Sequence, residues 1–146
     1  MPRPQTPSLT VDAIIELSEL PGRPIVLIER KYPPLGWAIP GGFVDIGETV
    51  EDATVREAME EVTLQISLKA LLGCYSQPSR DPRGHTVSLV YVAEASGKPV
   101  AADDARNVQV FSIENLPEQL AFDHKAILND YLSYRSCGQI PSLRNQ

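Results

Sequence analysis

The residues best placed to do chemistry lie at 56–63. There Arg-Glu-Ala-Met-Glu-Glu-Val-Thr sets Glu57, Glu60 and Glu61 beside Arg56, with no lysine to answer them. On a helical wheel with Val55 at zero, the three glutamates fall at roughly 200°, 140° and 240°, with Arg56 at the edge near 100°. Ala58, Met59 and Val62 fall at roughly 300°, 40° and 340°, so the spacing predicts an apolar stripe opposite a carboxylate face. Like charges at i,i+3 and i,i+4 cost roughly 0.2–0.5 kcal/mol per pair. The trio also sits toward the C-terminal end of its helix, where the dipole disfavours anions. Two readings stay open at this point: a solvated acidic face, or a set of hard oxygen ligands for Mg²⁺ or Mn²⁺.

The wider charge pattern concentrates on this helix. From Asp45 to Glu61 seven acidic residues face Arg56 alone, a balance of −6 that equals the net charge of the whole 146-residue chain. Such a surface excludes a nucleic-acid or membrane-surface binder, because phosphate polymers and anionic lipids repel it. It does not exclude a small anionic substrate, since a bound divalent cation reverses the local field. Cys74 and Cys137 have no metal-binding spacing and read as reduced, structural thiols. The start, MPRPQTPS, leads into no signal-type apolar core, and no segment approaches the ~20 apolar residues of a membrane span. A cytoplasmic protein is expected, and a homodimer stays open.

The elements that must position these carboxylates are mostly strands. LTVDAIIELSE (9–19) and RPIVLIER (23–30) flank Pro21-Gly22, a hairpin signal. KYPPLGWAIPGG (31–42) reads as a loop with a short strand around Trp37–Ile39. Residues 49–62 and 122–135 have helical spacing, while 64–76, 85–96 and 107–113 read as strands. Residues 1–8 form an N-terminal arm and 138–146 a polar tail. With no repeat and no linker, residues 1–146 are expected to be a single α+β domain, a mixed sheet covered by two main helices.

The stretch GGFVDIGETVEDATVREAMEEVTL (41–64) resembles the Nudix box, G-x5-E-x7-R-E-U-x-E-E-x-G-U, with U aliphatic. Gly42, Glu48, Arg56-Glu57, Ala58, Glu60-Glu61 and Leu64 occupy its fixed positions, and Thr63 replaces its second glycine. So many matches within one loop and helix make this motif far more specific than a lone glycine fingerprint. The resemblance implies a Nudix hydrolase with the Nudix fold, an α/β/α sandwich. It also implies divalent-metal-dependent cleavage of a nucleoside diphosphate linked to another moiety. By position, Glu57, Glu60 and Glu61 would hold Mg²⁺ or Mn²⁺ with the Gly41 carbonyl as a further ligand, and Glu48 and Arg56 would orient that cluster. A β-branched threonine resists the left-handed conformation of a helix-ending glycine, so a different helix exit and a shifted loop are expected at Thr63.

Flanking segments, including LTVDAII, PPLGWAIPGGFVDIGET, SRDPRGHTVS and LAFDHKAIL, are similar to stretches of ADP-ribose pyrophosphatases. That resemblance implies ADP-ribose hydrolysis to AMP and ribose 5-phosphate. Nudix cleavage of oxidised nucleoside triphosphates or dinucleoside polyphosphates is the alternative, and non-catalytic ADP-ribose binding a further one. Arg80, Arg83 and His85 could meet phosphate or the terminal ribose, or simply shape a surface turn. Trp37 could stack on adenine or pack in the core. Asp104, beside Asp103, could act as a base toward water or form a turn. His124 follows a candidate N-cap, Asp123, and reads as structural.

Overall fold

β1 (Ser8–Leu17) is the strand on which the rest is built. One of its edges pairs in parallel with β6 (Thr86–Ala95) in unbroken register from Ser8↔Thr86 to Leu17↔Ala95. Its other edge is shared. β4 (Gly41–Phe43) takes Thr10 to Asp12, and β2 (Ile25–Arg30) meets it only at Glu16↔Ile25. The expected hairpin therefore forms at Pro21-Gly22 but splays at once, and β4 fills the wedge. β2 continues against β3 (Trp37–Ala38) and β7 (Ala105–Phe111), and β5 (Ser67–Tyr75) closes the far side against β6. The result is a seven-stranded mixed sheet of order β3-β2-β1-β6-β5, with β4 on β1 and β7 on β2. These coordinates come from a computed structural model, which describes residues 2–102 and 105–144.

Side chains alternate across a strand, and β1 shows what that does here. Ala13, Ile15 and Leu17 point into a core closed by Ala58 and Val62 of α1 (Val50–Val62), with Val26 and Ile28 beside them. Ile14 points the other way, toward Ile127, Leu128 and Tyr131 of α2 (His124–Cys137), with Leu27, Val90 and Val92. Each fully buried Val, Leu or Ile contributes about 1.5–3 kcal/mol relative to exposure. Helix, sheet and helix make the α/β/α sandwich with a mixed sheet and two main helices that the sequence leads one to expect.

Four local expectations need correction. β4 reads as loop in the sequence because of its two glycines, yet it is a strand. A Cβ on Gly41 would lie 2.1 Å from the Val11 carbonyl oxygen, so only glycine lets β4 approach β1 this closely. Met59 belongs to the expected apolar stripe but is 40% exposed, whereas Ala53, Thr54, Ala58 and Val62 are buried. Asp123 occupies the N-cap position of α2 without a capping bond, because Arg80 takes its carboxylate. Cys74 and Cys137 are free, as expected, but exposed, so neither packs in the core. No helix among the described residues is long and apolar enough to cross a membrane.

Candidate active site

α1 starts where Thr49 Oγ1 accepts the Asp52 amide at 3.0 Å, and Glu51 and Asp52 favour the positive end of its dipole. Its carboxylate face turns toward β4 rather than toward open solvent. A Cβ on Gly42 would stand 2.5 Å from the Glu57 carboxyl, so glycine here makes room for that side chain. The Gly41 amide donates to Glu61 Oε1 at 2.7 Å, tying the last turn of α1 to β4.

Arg56 organises the upstream acids. Its Nε and Nη2 donate to the two Glu48 oxygens at 3.0 and 2.6 Å, and Nη2 also reaches the Phe43 carbonyl. Nη1 donates to Glu57 Oε1 at 2.9 Å and to Glu60 Oε2 at 3.1 Å. The Arg56 hydrogen bonds, with one from the Asp45 amide, lower the Glu48 carboxyl to about 2. These bonds raise the Arg56 guanidinium in turn.

The deeper carboxylates behave differently. Burial pushes Glu61 up to about 8 despite the Gly41 hydrogen bond, and nearby Glu57 and Asp12 add to the rise. Burial also raises Glu57. Asp12, on β1 under the same cavity, goes to about 7 for the same first cause, although the Ser88 hydroxyl donates to it. His124 lies 4.0 Å away through Nε2; its Nδ1 accepts the Ile39 amide at 3.0 Å, which leaves the proton on Nε2. Burial and Arg80 depress His124 to about 3, so it is neutral.

These groups line a cavity of about 720 Å³, with Arg30, Tyr32, Arg83 and Phe122 on its other walls. Carboxylates with too little positive charge face arginines across one cleft, an arrangement able to hold a cation and a polyanion together. The pattern of the NUDIX domain matches residues 7–131. The chain belongs to the NUDIX domain family. It is 47% identical over 133 residues to an ADP-ribose pyrophosphatase of Methanocaldococcus jannaschii, covering 89% of this chain and 76% of the relative. Its fold resembles a MutT/nudix family protein from Enterococcus faecalis, with TM-score 0.79 and 31% identity over 93% of this chain and 65% of that one. It also resembles the NUDIX domain of Shewanella oneidensis NrtR complexed with ADP ribose, with TM-score 0.76 and 26% identity over 90% of each chain.

Within this NUDIX domain, Thr63 corrects the expected change of helix exit. It adopts the left-handed conformation itself, at φ 61° and ψ 37°, and its amide bonds the Met59 carbonyl as a glycine cap would. Its Oγ1 donates to the Val100 carbonyl at 3.0 Å, and the Val100 and Ala102 amides bond Val62 and Glu61, offsetting the strain.

The flanking residues divide. Arg80 lines the cavity, but all three guanidinium nitrogens are bonded to Asp123 and Thr86. Arg83 also lines it, held by Asp81 through Nε and Nη2, with its guanidinium carbon 5.2 Å from the Phe122 ring centre and 5.9 Å from that of Phe43. Trp37 packs edge-on against Phe111 at 5.0 Å, in the core under α2 and away from the cavity wall. His85 donates from Nε2 to the Ser76 carbonyl at 2.9 Å and lines a neighbouring cavity instead. Asp104 lies outside the described residues. Asp12, Arg30 and Phe122 are not singled out by the sequence. Asp12 carries a signal in retrospect, as a charged residue amid the apolar run LTVDAII.

Proposed function

We propose that this chain hydrolyses ADP-ribose at the pyrophosphate, giving AMP and ribose 5-phosphate with the help of Mg²⁺ or Mn²⁺, in the cytoplasm. One observation carries the reading: the half-buried carboxylates of Glu57 and Glu61 and the arginines 30 and 83 line one cavity. The activity of the M. jannaschii relative and the ADP ribose in the NrtR complex support the substrate class.

The donor set suits a hard divalent ion, all carboxylate and carbonyl oxygen. Among the described residues no three acids, histidines or cysteines form a ready-made cage. Arg56 explains this, since its Nη1 holds Glu57 and Glu60. Glu60 is the most exposed of the pair, at 45% against 15% for Glu57, and would leave Arg56 to join Glu57, Glu61 and the Gly41 carbonyl. A bound ion there would polarise the diphosphate and lower the pKa of a water.

The chain's own groups do the positioning. Glu48 and Arg56 fix the turn before α1, and the Gly41 amide fixes Glu61. Arg83, oriented by Asp81, offers Nη1 to phosphate oxygens, a charge-assisted contact. Water adds to one phosphorus as the anhydride oxygen leaves with the other product. Incubation with ADP-ribose and Mg²⁺ followed by chromatography is expected to show AMP and ribose 5-phosphate in equal amounts. ADP-ribose left intact would overturn the reading, and faster pyrophosphate release from nucleoside triphosphates would move the substrate. The NrtR likeness favours a second reading, binding without turnover, which calorimetry on ADP-ribose with no product formed would establish.

A further inference from the structure

Asp12 and His124 each commit one polar atom to the protein and keep the other for the main cavity. The Ser88 hydroxyl donates to Asp12 Oδ2, and the Ile39 amide donates to His124 Nδ1 at 3.0 Å. Asp12 Oδ1 and His124 Nε2 make no hydrogen bond among the described residues and stand 4.0 Å apart. Every fully sequestered side-chain nitrogen and oxygen among those residues has a partner, so these two atoms open onto the cavity that both residues line. Yet His124 is only 3% exposed. An N–H buried so deeply is costly unless the cavity brings it an acceptor.

The separation selects the chemistry of that acceptor. At 4.0 Å the two atoms are too far apart to bond directly. One oxygen between them can accept from Nε2–H and donate to Oδ1. A phosphate oxygen only accepts, and would meet the Asp12 carboxylate as a like charge. An amide N–H only donates, and would leave Nε2–H without an acceptor. A hydroxyl does both, and water is the smallest that finds the two polar partners it needs here.

The surroundings select the source of the water. A Cβ on Gly41 would stand 2.4 Å from Asp12 Oδ1, so the carboxylate lies where a side chain at 41 would be. The Gly41 carbonyl belongs to the proposed cation site, with Glu61, which accepts the Gly41 amide at 2.7 Å. Asp12 does not complete a three-acid cage with these groups. A hard divalent ion keeps several of its waters, and carboxylates and imidazoles behind such a site orient what it binds. Both side chains are held for that task. Asp12 sits on β1, and Arg80 fixes the start of α2 by gripping Asp123 beside His124.

Resting on the metal part of the ADP-ribose reading, we infer that Asp12 and His124 are positioning residues that jointly hold one water of the bound divalent ion without coordinating the ion themselves. Ser88 acts through Asp12, and the Ile39 amide through His124.

The test is calorimetric titration of Mn²⁺ into wild type, Asp12→Asn, His124→Asn and the double variant, with water-proton relaxation of the bound ion. Asp12→Asn keeps an oxygen for Ser88 and turns an amide toward His124. His124→Asn keeps an acceptor near the Ile39 amide and removes Nε2–H. Each single variant is expected to weaken Mn²⁺ binding about tenfold and to quicken exchange of its waters. The double variant should bind no more than about twofold more weakly than either single one, because both residues hold the same water. A structural role would lower the metal-free Tm and leave the affinity of the folded protein unchanged, which would overturn the inference. Losses that multiply in the double variant would overturn it too, as would Asp12→Asn abolishing binding outright, the mark of a direct ligand. Should His124→Asn fail to fold, the affinity and water exchange of Asp12→Asn decide alone. Wild-type protein that binds Mn²⁺ but leaves ADP-ribose intact fails the functional reading instead, and the same titrations still decide this one.

Discussion

Asp12 and Glu16 project from the same face of β1, four residues apart, yet their carboxyls are driven in opposite directions. Burial alone would raise both. At Glu16 the hydrogen bonds of Lys69 Nζ (2.9 Å) and Tyr131 Oη (2.7 Å), with Arg23 at 3.4 Å, outweigh it and hold the group below its ordinary range. At Asp12 burial outweighs the Ser88 hydroxyl and the Arg80 charge, and the group rises to about 7. Glu61, across the cavity floor, rises further, to about 8. At the Glu16 end of the sheet the fold supplies its own cations. At the cavity end it leaves negative charge under-compensated, which costs stability unless a cation arrives. The contrast separates a carboxylate that holds the protein together from carboxylates held in readiness.

The largest expected effect lies at the cavity end. Glu61→Gln should reduce AMP release from ADP-ribose by at least about a hundredfold, on the scale of losing one transition-state charge stabiliser. Retained turnover would remove Glu61 from the site. At the other end, Glu16→Ala leaves Lys69, Arg23 and the Tyr131 hydroxyl without their acceptor and should destabilise the fold by about 3–5 kcal/mol in urea melts. Activity per folded molecule should stay near wild type. A Glu16 variant that melts normally but loses activity would erase the distinction between the two ends.

How much of this contrast is legible in the sequence depends on range. α1 shows itself through the helical spacing of residues 49–62 and the placing of Ala58 and Val62 opposite Glu57 and Glu61, all local signals. The Gly42-to-Leu64 spacing exposes the carboxylate cluster for the same reason. β4 does not show itself, because its glycines read as loop until β1 is seen to need their missing side chains. Asp12 and His124 meet across more than a hundred residues, and Ser88 reaches Asp12 only through the parallel β1–β6 pairing, so no local pattern links them. Met59 fails as a core residue because the carboxylate side of α1 packs on β4 and rotates the stripe toward Ala53 and Thr54. Thr63 keeps the glycine-like exit because Val100, 37 residues away, supplies a carbonyl for its hydroxyl.

A smaller effect concerns pH. His124, at about 3 against an ordinary 6.5, makes the folded state bind fewer protons than the unfolded one, so its contribution is full above pH 6.5 and is lost as pH falls toward 3. Asp12, at about 7 against 3.8, runs the other way: it costs stability above pH 7, and that cost is recovered as pH falls toward 3.8. Asp12→Asn removes the second contribution. Its stability, followed by urea melts, should therefore fall more steeply than wild type between pH 6.5 and 3.8. Parallel pH profiles would mean Asp12 is compensated after all. The smallest change is expected from Thr63→Gly, which relieves the left-handed strain but loses the Val100 bond, a net shift within about 1 kcal/mol.

Thermal melting of wild-type protein and Glu61→Gln, each with and without Mn²⁺, tests most directly whether the cavity-end carboxylates are held in readiness for a cation. Mn²⁺ should raise the wild-type Tm by several degrees, since a ligand that binds only the folded state stabilises it. Metal-free Glu61→Gln should melt at or above wild type, relieved of the cost of burying a carboxyl that burial pushes up to about 8, and should respond little to the ion. A metal-free variant that melts well below wild type yet gains as much from Mn²⁺ would contradict the account.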